Sequence, residues 1–273
     1  DQKELREQEN RCIQEQPPAC TAACPAHVDV RGITAELTRG DFGAAFRLLR
    51  KAVPFPGIIS RICPQPCQAG CLRKDLGGAI EVAALERTCV DYGSQEAEAP
   101  KPLPRKPKTV AIVGGGISGL TAAYDLARKG WGVVIYEAGS RIGGGLWQIP
   151  PDLLPRDLLQ KELDVVASLG VEIHLNTPVG QPGGNGHSTS LARLCARHDA
   201  VYLASGAQAL ETPELKRDEN GRILVDALTF QTSHEKIFAG GDALRFPAQE
   251  GHRSAILSIS HGRRAAVSID RLL

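Results

Sequence analysis

The stretch TVAIVGGGISGLTAAYDLARKG, residues 109–130, decides the fold of most of this chain. It predicts an apolar strand at Thr109–Val113 and a helix at Ile117–Lys129 that ends at Gly130. The turn between them, Gly114-Gly115-Gly116-Ile117-Ser118-Gly119, satisfies the G-x-G-x-x-G pattern. Its glycines permit a tight turn, close approach of the backbone to a pyrophosphate, and helix–strand packing. The helix N-terminus adds partial positive charge, so the stretch predicts a dinucleotide-binding site.

The residues after this stretch continue an alternation of strands and helices. A second strand is predicted at Val133–Glu137, and Glu137 at its end is placed to accept hydrogen bonds from a ribose. Further strands are predicted at 171–175, 200–204 and 236–239, with a last helix from about Ser254 to Leu272. This pattern indicates a mostly parallel sheet with helices on its faces.

Three later segments distinguish between a flavin and a nicotinamide cofactor. They are Gly143-Gly144, Ala204-Ser205-Gly206, and Phe238-Ala239-Gly240-Gly241-Asp242. Together they resemble the two-dinucleotide-binding flavoprotein family, which implies FAD at this site, with Asp242 holding the ribityl chain. The resemblance implies cofactor contacts for Gly114, Gly116, Ser118, Gly119, Glu137, Gly143, Gly144, Leu146, Val179, Ala204, Ser205, Gly206, Gly241, Asp242, Gly262 and Ala265.

The first quarter of the chain carries six of the eight cysteines in two tight groups. The first group is Cys12, Cys20 and Cys24-Pro25, and the second is Cys63-Pro64, Cys67 and Cys71. Short cysteine intervals, some followed by proline, are typical of loops that present several thiolates to one iron–sulfur cluster. A zinc site is the competing interpretation. Cys89 and Cys195 lie outside the pattern and are interpreted as packing residues.

The bulk of the sequence divides into three parts. Residues 1–92 are predicted to be helical and irregular, with one helix that begins at the N-cap Asp41 and another from Ile80 to Asp91. Residues 93–107 are rich in proline and charge and are interpreted as a linker. Residues 108–273 form the predicted nucleotide-binding domain. The fold class expected is therefore a helical domain followed by a Rossmann-like α/β domain.

Nearly the whole chain resembles the small subunit of glutamate synthase and the N-terminal part of dihydropyrimidine dehydrogenase. The resemblance rests on the cysteine groups, the FAD fingerprint, and the segments Leu85-Glu86-Arg87, Ile149-Pro150 and Leu154-Pro155. It implies two [4Fe–4S] clusters in the helical domain. One would take Cys12, position 15, Cys20 and Cys71, and the other Cys24, Cys63, Cys67 and Glu86.

The chain departs from this family pattern in two places. The family has cysteine at position 15 and this chain has Glu15, so the first cluster is open between a Glu-ligated, a three-iron and an absent form. Family members also insert an NAD(P)H-binding domain, whereas here only residues 207–225 separate Gly206 from Asp226. A βαβ unit needs about 30 residues. The expectation is that this sequence holds no nicotinamide site, either as a reduced relative or because an insert was left out.

These features together predict an FAD- and iron–sulfur-dependent oxidoreductase subunit. The resemblance implies NAD(P)H as the ultimate donor or acceptor and a larger redox partner subunit. The alternatives are a pure electron-transfer module and a scaffolding subunit with vestigial cofactor sites. With a net charge of +1 and 4% aromatic residues, no nucleic-acid partner is expected. The apolar runs are too short for membrane insertion and no signal peptide is evident, so a cytoplasmic location is expected.

Overall fold

The computed structural model describes residues 2–12, 18–95, 98–180, 188–206, 210, 212, 215–219, 221–244 and 254–273. Contacts between Cα atoms divide the chain into two compact units. The first, the cysteine unit, comprises Asp1–Ala99 with Pro151–Leu159, and the second, the nucleotide unit, comprises Pro100–Pro150 with Gln160–Leu273. No helix among the described residues is long and apolar enough to cross a lipid bilayer.

The cysteine unit is built from short helices. They are α1 (Gln2–Arg11), α2 (Ala19–Ala23), α3 (Val30–Arg39), α4 (Phe42–Ala52), α5 (Pro56–Ile62), α6 (Pro66–Ala69) and α7 (Val82–Gly93), with a 3₁₀ turn at Lys74–Leu76. The predicted start of α4 is confirmed, since the Asp41 carboxylate accepts a hydrogen bond from the Ala44 N–H at 2.7 Å. Asp29 caps α3 in the same way, through the Gly32 N–H at 3.0 Å. Such caps contribute about 1 kcal/mol each to helix stability.

The nucleotide unit is an α/β structure. Its elements are β1 (Thr109–Val113), α8 (Ile117–Arg128), β2 (Gly132–Tyr136), α9 (Arg156–Ser168), β3 (Glu172–His174), α10 (Leu191–Arg197), β4 (Ala200–Leu203), β5 (Ile237–Ala239) and α11 (Ala255–Leu272), of which the start of α9 lies in Pro151–Leu159. The described strands pair in parallel in the order β3-β2-β1-β4-β5. The strand–helix alternation and the parallel sheet predicted from the sequence are therefore confirmed.

This strand order positions the candidate site. Chain direction across the sheet reverses between β1 and β4, and ligands of open parallel sheets bind at such a switch point, beyond the carboxyl ends of the strands. The segments that follow those ends are the glycine turn after β1, Glu137 after β2, Ala204 after β4 and Gly240 after β5. These four predicted flavin-binding segments therefore lie at the carboxyl edge of the sheet.

Part of the predicted linker has a defined structure. Helix α7 extends to Gly93, and within the nucleotide unit the Leu103 N–H donates to the Arg128 carbonyl at 2.9 Å. The Lys106 N–H donates to the Gly130 carbonyl at 2.8 Å, and the Lys106 ammonium lies 3.9 Å from the centre of the Trp131 ring. Residues 103–106 therefore run along the end of α8.

Candidate functional site

Two glycines of the turn after β1 are required by the fold itself. Gly114 has a φ of +102°, and a Cβ placed on it would collide with the Ala204 carbonyl oxygen. A Cβ on Gly119 would collide with the Gly114 carbonyl oxygen and lie 3.1 Å from the Ile112 side chain. Any larger residue at either position would separate α8 from the strands or twist the turn.

Gly116 differs from these two glycines. Its backbone is extended, with a φ of −76° and a ψ of 177°, and a Cβ placed on it would meet no atom within 4 Å. The fold therefore does not explain the absence of a side chain here. Space left open at the N-terminus of α8 is what a pyrophosphate needs to approach the backbone. The geometry of this turn therefore fits the pyrophosphate of a dinucleotide.

Glu137 contacts the glycine turn directly. One carboxylate oxygen accepts the Gly115 N–H at 2.7 Å, and the other accepts the Gly139 N–H at 2.7 Å. Each carboxylate oxygen retains lone-pair capacity, so a ribose hydroxyl can still donate to it. The residue predicted to bind ribose is held in place by the backbone of the turn beside it.

Gly143 and Gly144 lie beside the same turn. The Gly143 N–H donates to the Gly115 carbonyl at 2.7 Å, and a Cβ on Gly144 would lie 3.3 Å from the Gly116 Cα. Their φ values are +105° and +51°, in the region that favours glycine. This second glycine segment therefore packs against the first, as a shared nucleotide-binding surface requires.

The C-terminal Gly240-Gly241 turn is packed against the start of α8. Gly241 has a φ of +66°, and a Cβ on it would lie 3.0 Å from the Ser118 Cβ. The Ser118 hydroxyl is 2.8 Å from the Tyr202 hydroxyl. Burial raises the pKa of Tyr202, and the contact with Ser118 partly offsets this rise. In this structure Ser118 thus serves the packing of the turn.

The remaining predicted FAD contacts occupy varied environments. Among them, Leu146, Val179, Ala204 and Ala265 are buried, whereas Ser205, Gly206 and Asp242 are partly exposed. Gly262 lies on α11, where a Cβ would collide with the Ser118 carbonyl oxygen. The partly exposed residues follow β4 and β5 at the carboxyl edge of the sheet, where a ligand can reach them.

The second predicted cluster site is assembled from four elements of the cysteine unit. Cys24 follows α2, Cys63 follows α5, Cys67 lies on α6, and Glu86 lies on α7. Burial raises the pKa of Cys67 to about 12, with further contributions from Glu86, Cys24 and Cys63. These electrostatic interactions require the four groups to be neighbours. Three thiols and one carboxyl group are a donor set that iron–sulfur clusters can use.

The chain between Cys63 and Cys67 is bent by a left-handed residue. Gln65 has a φ of +55°, and its N–H points at the Cys63 sulfur at 3.4 Å. Burial raises the pKa of Cys63 to about 11, although this N–H acts in the opposite direction. Hydrogen bonds to cluster sulfurs are among the features that set cluster potentials. The two prolines of the Cys-Pro-Gln-Pro-Cys segment flank this bend.

Glu86 is a buried carboxyl group, which is uncommon in a protein interior. Its side chain is 6% exposed, and burial raises its pKa to about 7 although Arg87 opposes the rise. Cys89 lies one turn later on α7 and is fully buried, with its pKa raised to about 12 mainly by burial. Buried carboxyl groups are costly unless they are paired or coordinate a metal.

The first predicted cluster site is only partly described. Burial raises the pKa of Cys20, and Cys12 and Cys71 contribute in the same direction, so these three sulfurs are neighbours. Glu15, the fourth candidate ligand, lies outside the described residues. A cavity of about 30 Å³ is lined by Cys12, Cys20, Cys67 and Cys71 together with Arg31 and Arg73. Arg73 Nε is buried and has no hydrogen-bond partner among the described residues.

None of the eight cysteines, all of which lie among the described residues, forms a disulfide. Within the described ranges, no three His, Cys, Asp or Glu side chains converge closely enough to hold a single metal ion. The sulfurs are close enough to act on one another's pKa without forming the compact shell of a mononuclear site.

Two residues that contact the Gly240-Gly241 turn were not predicted from the sequence. His261 Nδ1 accepts the Gly241 N–H at 3.1 Å, and the Tyr202 hydroxyl faces Gly240. Both contacts join residues far apart in sequence, and neither residue belongs to a recognisable motif. The only available signal was their position next to predicted cofactor residues.

Two protein-family models match overlapping parts of the chain. The family described as dihydropyrimidine dehydrogenase domain II, 4Fe-4S cluster, matches residues 1–98. The pyridine nucleotide-disulphide oxidoreductase family matches residues 78–262. These matches support the expected [4Fe–4S] and FAD cofactors and favour iron–sulfur over zinc in the cysteine unit.

Several curated relatives match over most of the chain. The NADPH-Fe(3+) oxidoreductase subunit beta of Geobacter sulfurreducens is 35% identical over 78% of this chain and 31% of its own length. The glutamate synthase [NADPH] small chain of Mycobacterium tuberculosis is 32% identical over 89% of this chain and 49% of its own. A thioredoxin reductase structure from Gloeobacter violaceus aligns with a TM-score of 0.39 and 15% identity, over 64% of this chain and 95% of that one.

The chain spans 31% to 49% of the length of these two curated relatives. The glycine turn, the parallel sheet and the cysteine groups agree with the two family matches, and the predicted resemblance is confirmed. The chain belongs to the pyridine nucleotide-disulphide oxidoreductase family, with an N-terminal region of the 4Fe-4S dihydropyrimidine dehydrogenase domain II family.

Proposed function

We propose that this chain is an FAD- and iron–sulfur-dependent oxidoreductase subunit that passes electrons between NAD(P)H, directly or through a partner, and the iron–sulfur clusters of a larger complex. The observation that carries the proposal is the presence, in one chain, of an open glycine turn and of three cysteines whose thiols interact electrostatically with one another or with the buried carboxyl group of Glu86. Bound flavin converts between two-electron hydride transfer and single-electron transfer.

The nucleotide unit would bind FAD through its backbone and two carboxylates. The N-terminus of α8, which begins at Ile117, would face the pyrophosphate, and Gly116 leaves the room for it. Glu137, fixed by the Gly115 N–H, would accept the ribose hydroxyls, and Asp242 would accept hydrogen bonds from the ribityl chain. The other predicted contacts would line the same edge of the sheet.

The cysteine unit would hold the clusters. Cys24, Cys63, Cys67 and Glu86 would ligate one cluster, and Cys12, Cys20 and Cys71 with Glu15 would ligate the other. In this proposal residues 1–92 are the cluster-binding domain, 93–107 the linker and 108–273 the FAD-binding domain. Cysteines that ligate clusters rather than form disulfides are in keeping with a reducing compartment, and we propose the cytoplasm.

A larger partner subunit is part of the same proposal. The relatives from Geobacter sulfurreducens and Mycobacterium tuberculosis are named as a subunit and a small chain, and the two names include NADPH. Because this chain spans half or less of those relatives, their donors and partners serve here only as support for the proposal.

A pure relay without its own nicotinamide site is the second candidate. Between Gly206 and the end of β5, isolated bridges pair Arg217 with Ile223 and Gln231 with Phe238. The described residues of this segment form no second parallel sheet. In the relay, electrons would reach the flavin from a partner protein.

Two experiments separate these functions. Visible absorption of the purified protein should show a flavin band with a broad iron–sulfur shoulder, and the absence of both would contradict either function. Stopped-flow mixing with NADH and with NADPH then follows the flavin band. Rapid bleaching supports direct oxidation of the nicotinamide, whereas bleaching by dithionite alone supports the relay.

A further inference from the structure

His261 on α11 makes a specific contact with the Gly240-Gly241 turn. Its side chain is 5% exposed, and its Nδ1 accepts the Gly241 N–H at 3.1 Å. The imidazole packs against the Phe230 ring at an interplanar angle of 43°, with 4.8 Å between the ring centres. The ring is therefore held on two sides, by an aromatic contact and by a main-chain hydrogen bond.

The Gly240-Gly241 turn packs closely against its neighbours. A Cβ on Gly240 would collide with the Tyr202 hydroxyl and lie 3.1 Å from the His261 Cβ, so this residue approaches both side chains closely. Gly241 adopts a left-handed backbone, with a φ of +66°. Neither residue has a side chain that could anchor it. The main chain holds the turn through the Gly240 N–H, which donates to the Leu203 carbonyl at 3.0 Å, and the Gly241 carbonyl, which accepts from the Leu244 N–H at 3.3 Å. The hydrogen bond to His261 adds the side-chain contact that orients the peptide between Gly240 and Gly241, directly before Asp242.

Only neutral imidazole can accept this hydrogen bond. Burial lowers the pKa of His261 to about 4, and Arg264 on the same helix acts in the same direction, against the effect of the Gly241 N–H. Polar groups that approach the turn from other elements include the Leu203 carbonyl on β4 and the hydroxyls of Tyr202 on β4 and Ser118 on α8, which contact each other. The surroundings of His261 thus favour its accepting form.

We propose that His261 is a positioning residue of the flavin site, which holds the Gly240-Gly241 turn so that Asp242 faces the cofactor. This inference rests on the proposed role of Asp242 in FAD binding. His261 does not need to touch the cofactor. It acts through one main-chain hydrogen bond, and the same contact makes FAD binding depend on the protonation state of a buried histidine.

Two substitutions separate the hydrogen bond from the volume of the ring. His261→Phe keeps an aromatic ring against Phe230 but leaves the Gly241 N–H buried without an acceptor. His261→Asn places an amide oxygen near the position of Nδ1, so it retains an acceptor that does not titrate. His198→Phe is the matched control, because His198 is also a buried histidine of the nucleotide unit, bonded to Thr109 and Tyr136.

The measurements are the dissociation constant of FAD and the vibronic structure of the bound flavin spectrum. His261→Phe should weaken FAD binding roughly tenfold or more, as expected for a buried donor left unpaired. His261→Asn should restore binding to near the wild-type value, and His198→Phe should leave it unchanged. Wild-type protein should release FAD as the pH falls from 6 towards about 4, whereas His261→Asn should lack this step.

Two outcomes would overturn the inference. One is FAD binding by His261→Phe that equals the wild type, and the other is equal weakening in His261→Asn and His261→Phe. If His261→Phe does not fold, the Asn variant and the pH profile decide. Failure of wild-type protein to bind FAD at all would instead overturn the proposed function.

Discussion

In the nucleotide unit, the main-chain groups around the glycine turn already have protein partners. The Gly115 N–H is bound by Glu137, the Gly143 N–H by the Gly115 carbonyl, and the Gly241 N–H by His261. In the cysteine unit, the surroundings instead disfavour the thiolate form in which cysteines bind a metal. Burial and the neighbouring carboxyl group of Glu86 raise the pKa of Cys63 to about 11 and that of Cys67 to about 12.

This contrast teaches how each site depends on its cofactor. A surface whose backbone is fixed by hydrogen bonds is preformed and keeps its shape without a bound nucleotide. Buried thiols with raised pKa values are disfavoured as thiolates, and the positive charge of a metal is what stabilises the thiolate form. We therefore expect the cysteine unit to depend on iron for its stability more than the nucleotide unit depends on FAD.

The strongest test of the contrast removes one candidate cluster ligand. Cys67→Ser should lose the cluster of its site, because the serine hydroxyl is a poor replacement for a buried thiolate. FAD content should stay the same. Iron analysis and the flavin band measure the two effects separately. Cys195→Ser is the matched control, since Cys195 is a partly exposed cysteine outside both groups, and it should keep its iron. Loss of FAD together with iron in Cys67→Ser would contradict the independence of the two sites.

The next test compares two glycines of the same turn. Gly116→Ala should change the free energy of unfolding by less than about 0.5 kcal/mol, since its Cβ meets no protein atom. It should nevertheless weaken FAD binding at least tenfold, because the methyl group occupies space proposed for the pyrophosphate. Gly114→Ala should destabilise the fold itself by about 1–3 kcal/mol or more through its φ of +102°. Denaturant unfolding and FAD titration give both quantities. Unchanged FAD binding by Gly116→Ala would move the cofactor away from this turn.

A smaller effect is expected from a conservative change at Glu86. Glu86→Gln should keep most of the iron, because the carboxamide oxygen can still serve as a ligand in the same position. Glu86→Leu should lose iron from the same site. Iron content and electron paramagnetic resonance of the reduced protein distinguish the two. Equal iron in all three proteins would show that this side chain is not a ligand.

The smallest effect concerns Asp270 at the end of α11. Burial acts to raise its pKa, but hydrogen bonds from Lys129 and Trp131 outweigh this and hold the pKa below its ordinary value. A lowered carboxyl pKa stabilises the fold above the ordinary pKa, and this stabilisation is lost as the pH falls through the lowered value. Asp270→Asn should cost about 1 kcal/mol at pH 7 and less at pH 3, because the stabilisation is lost as the carboxylate protonates.

Thermal unfolding of the Asp270 variant at both pH values, with and without FAD, checks this prediction. Asp164→Asn, on the exposed face of α9, is the control. A cost that appears only when FAD is bound would contradict the preformed nucleotide unit.

The sequence predicted the parts of the fold that are governed by local rules. The strand β1, the glycine turn and α8 follow from apolar runs and glycine spacing, and α4 follows from the Asp41 cap. The individual short helices α2, α5 and α6 were not predicted, because stretches of 4 to 7 residues with prolines carry no helical periodicity. Their positions are set by packing of the cysteine unit.

The candidate site divides in the same way. Cysteine spacing identified Cys24, Cys63 and Cys67, and the family resemblance added Glu86, which the fold places beside them. The contact between His261 and Gly241, and that between Tyr202 and Ser118, could not be predicted, since each depends on how β4, β5 and α11 meet. Such contacts are decided by tertiary packing, for which neither motif nor periodicity gives a signal.

The most direct test of the whole account is the cofactor content of the purified wild-type protein. Iron, acid-labile sulfide, zinc and flavin should be measured per chain, together with the electron paramagnetic resonance spectrum after reduction. The account predicts one FAD and at least one [4Fe–4S] cluster that survives Cys195→Ser and is lost in Cys67→Ser. Stoichiometric zinc without sulfide, or a protein with neither iron nor flavin, would contradict it.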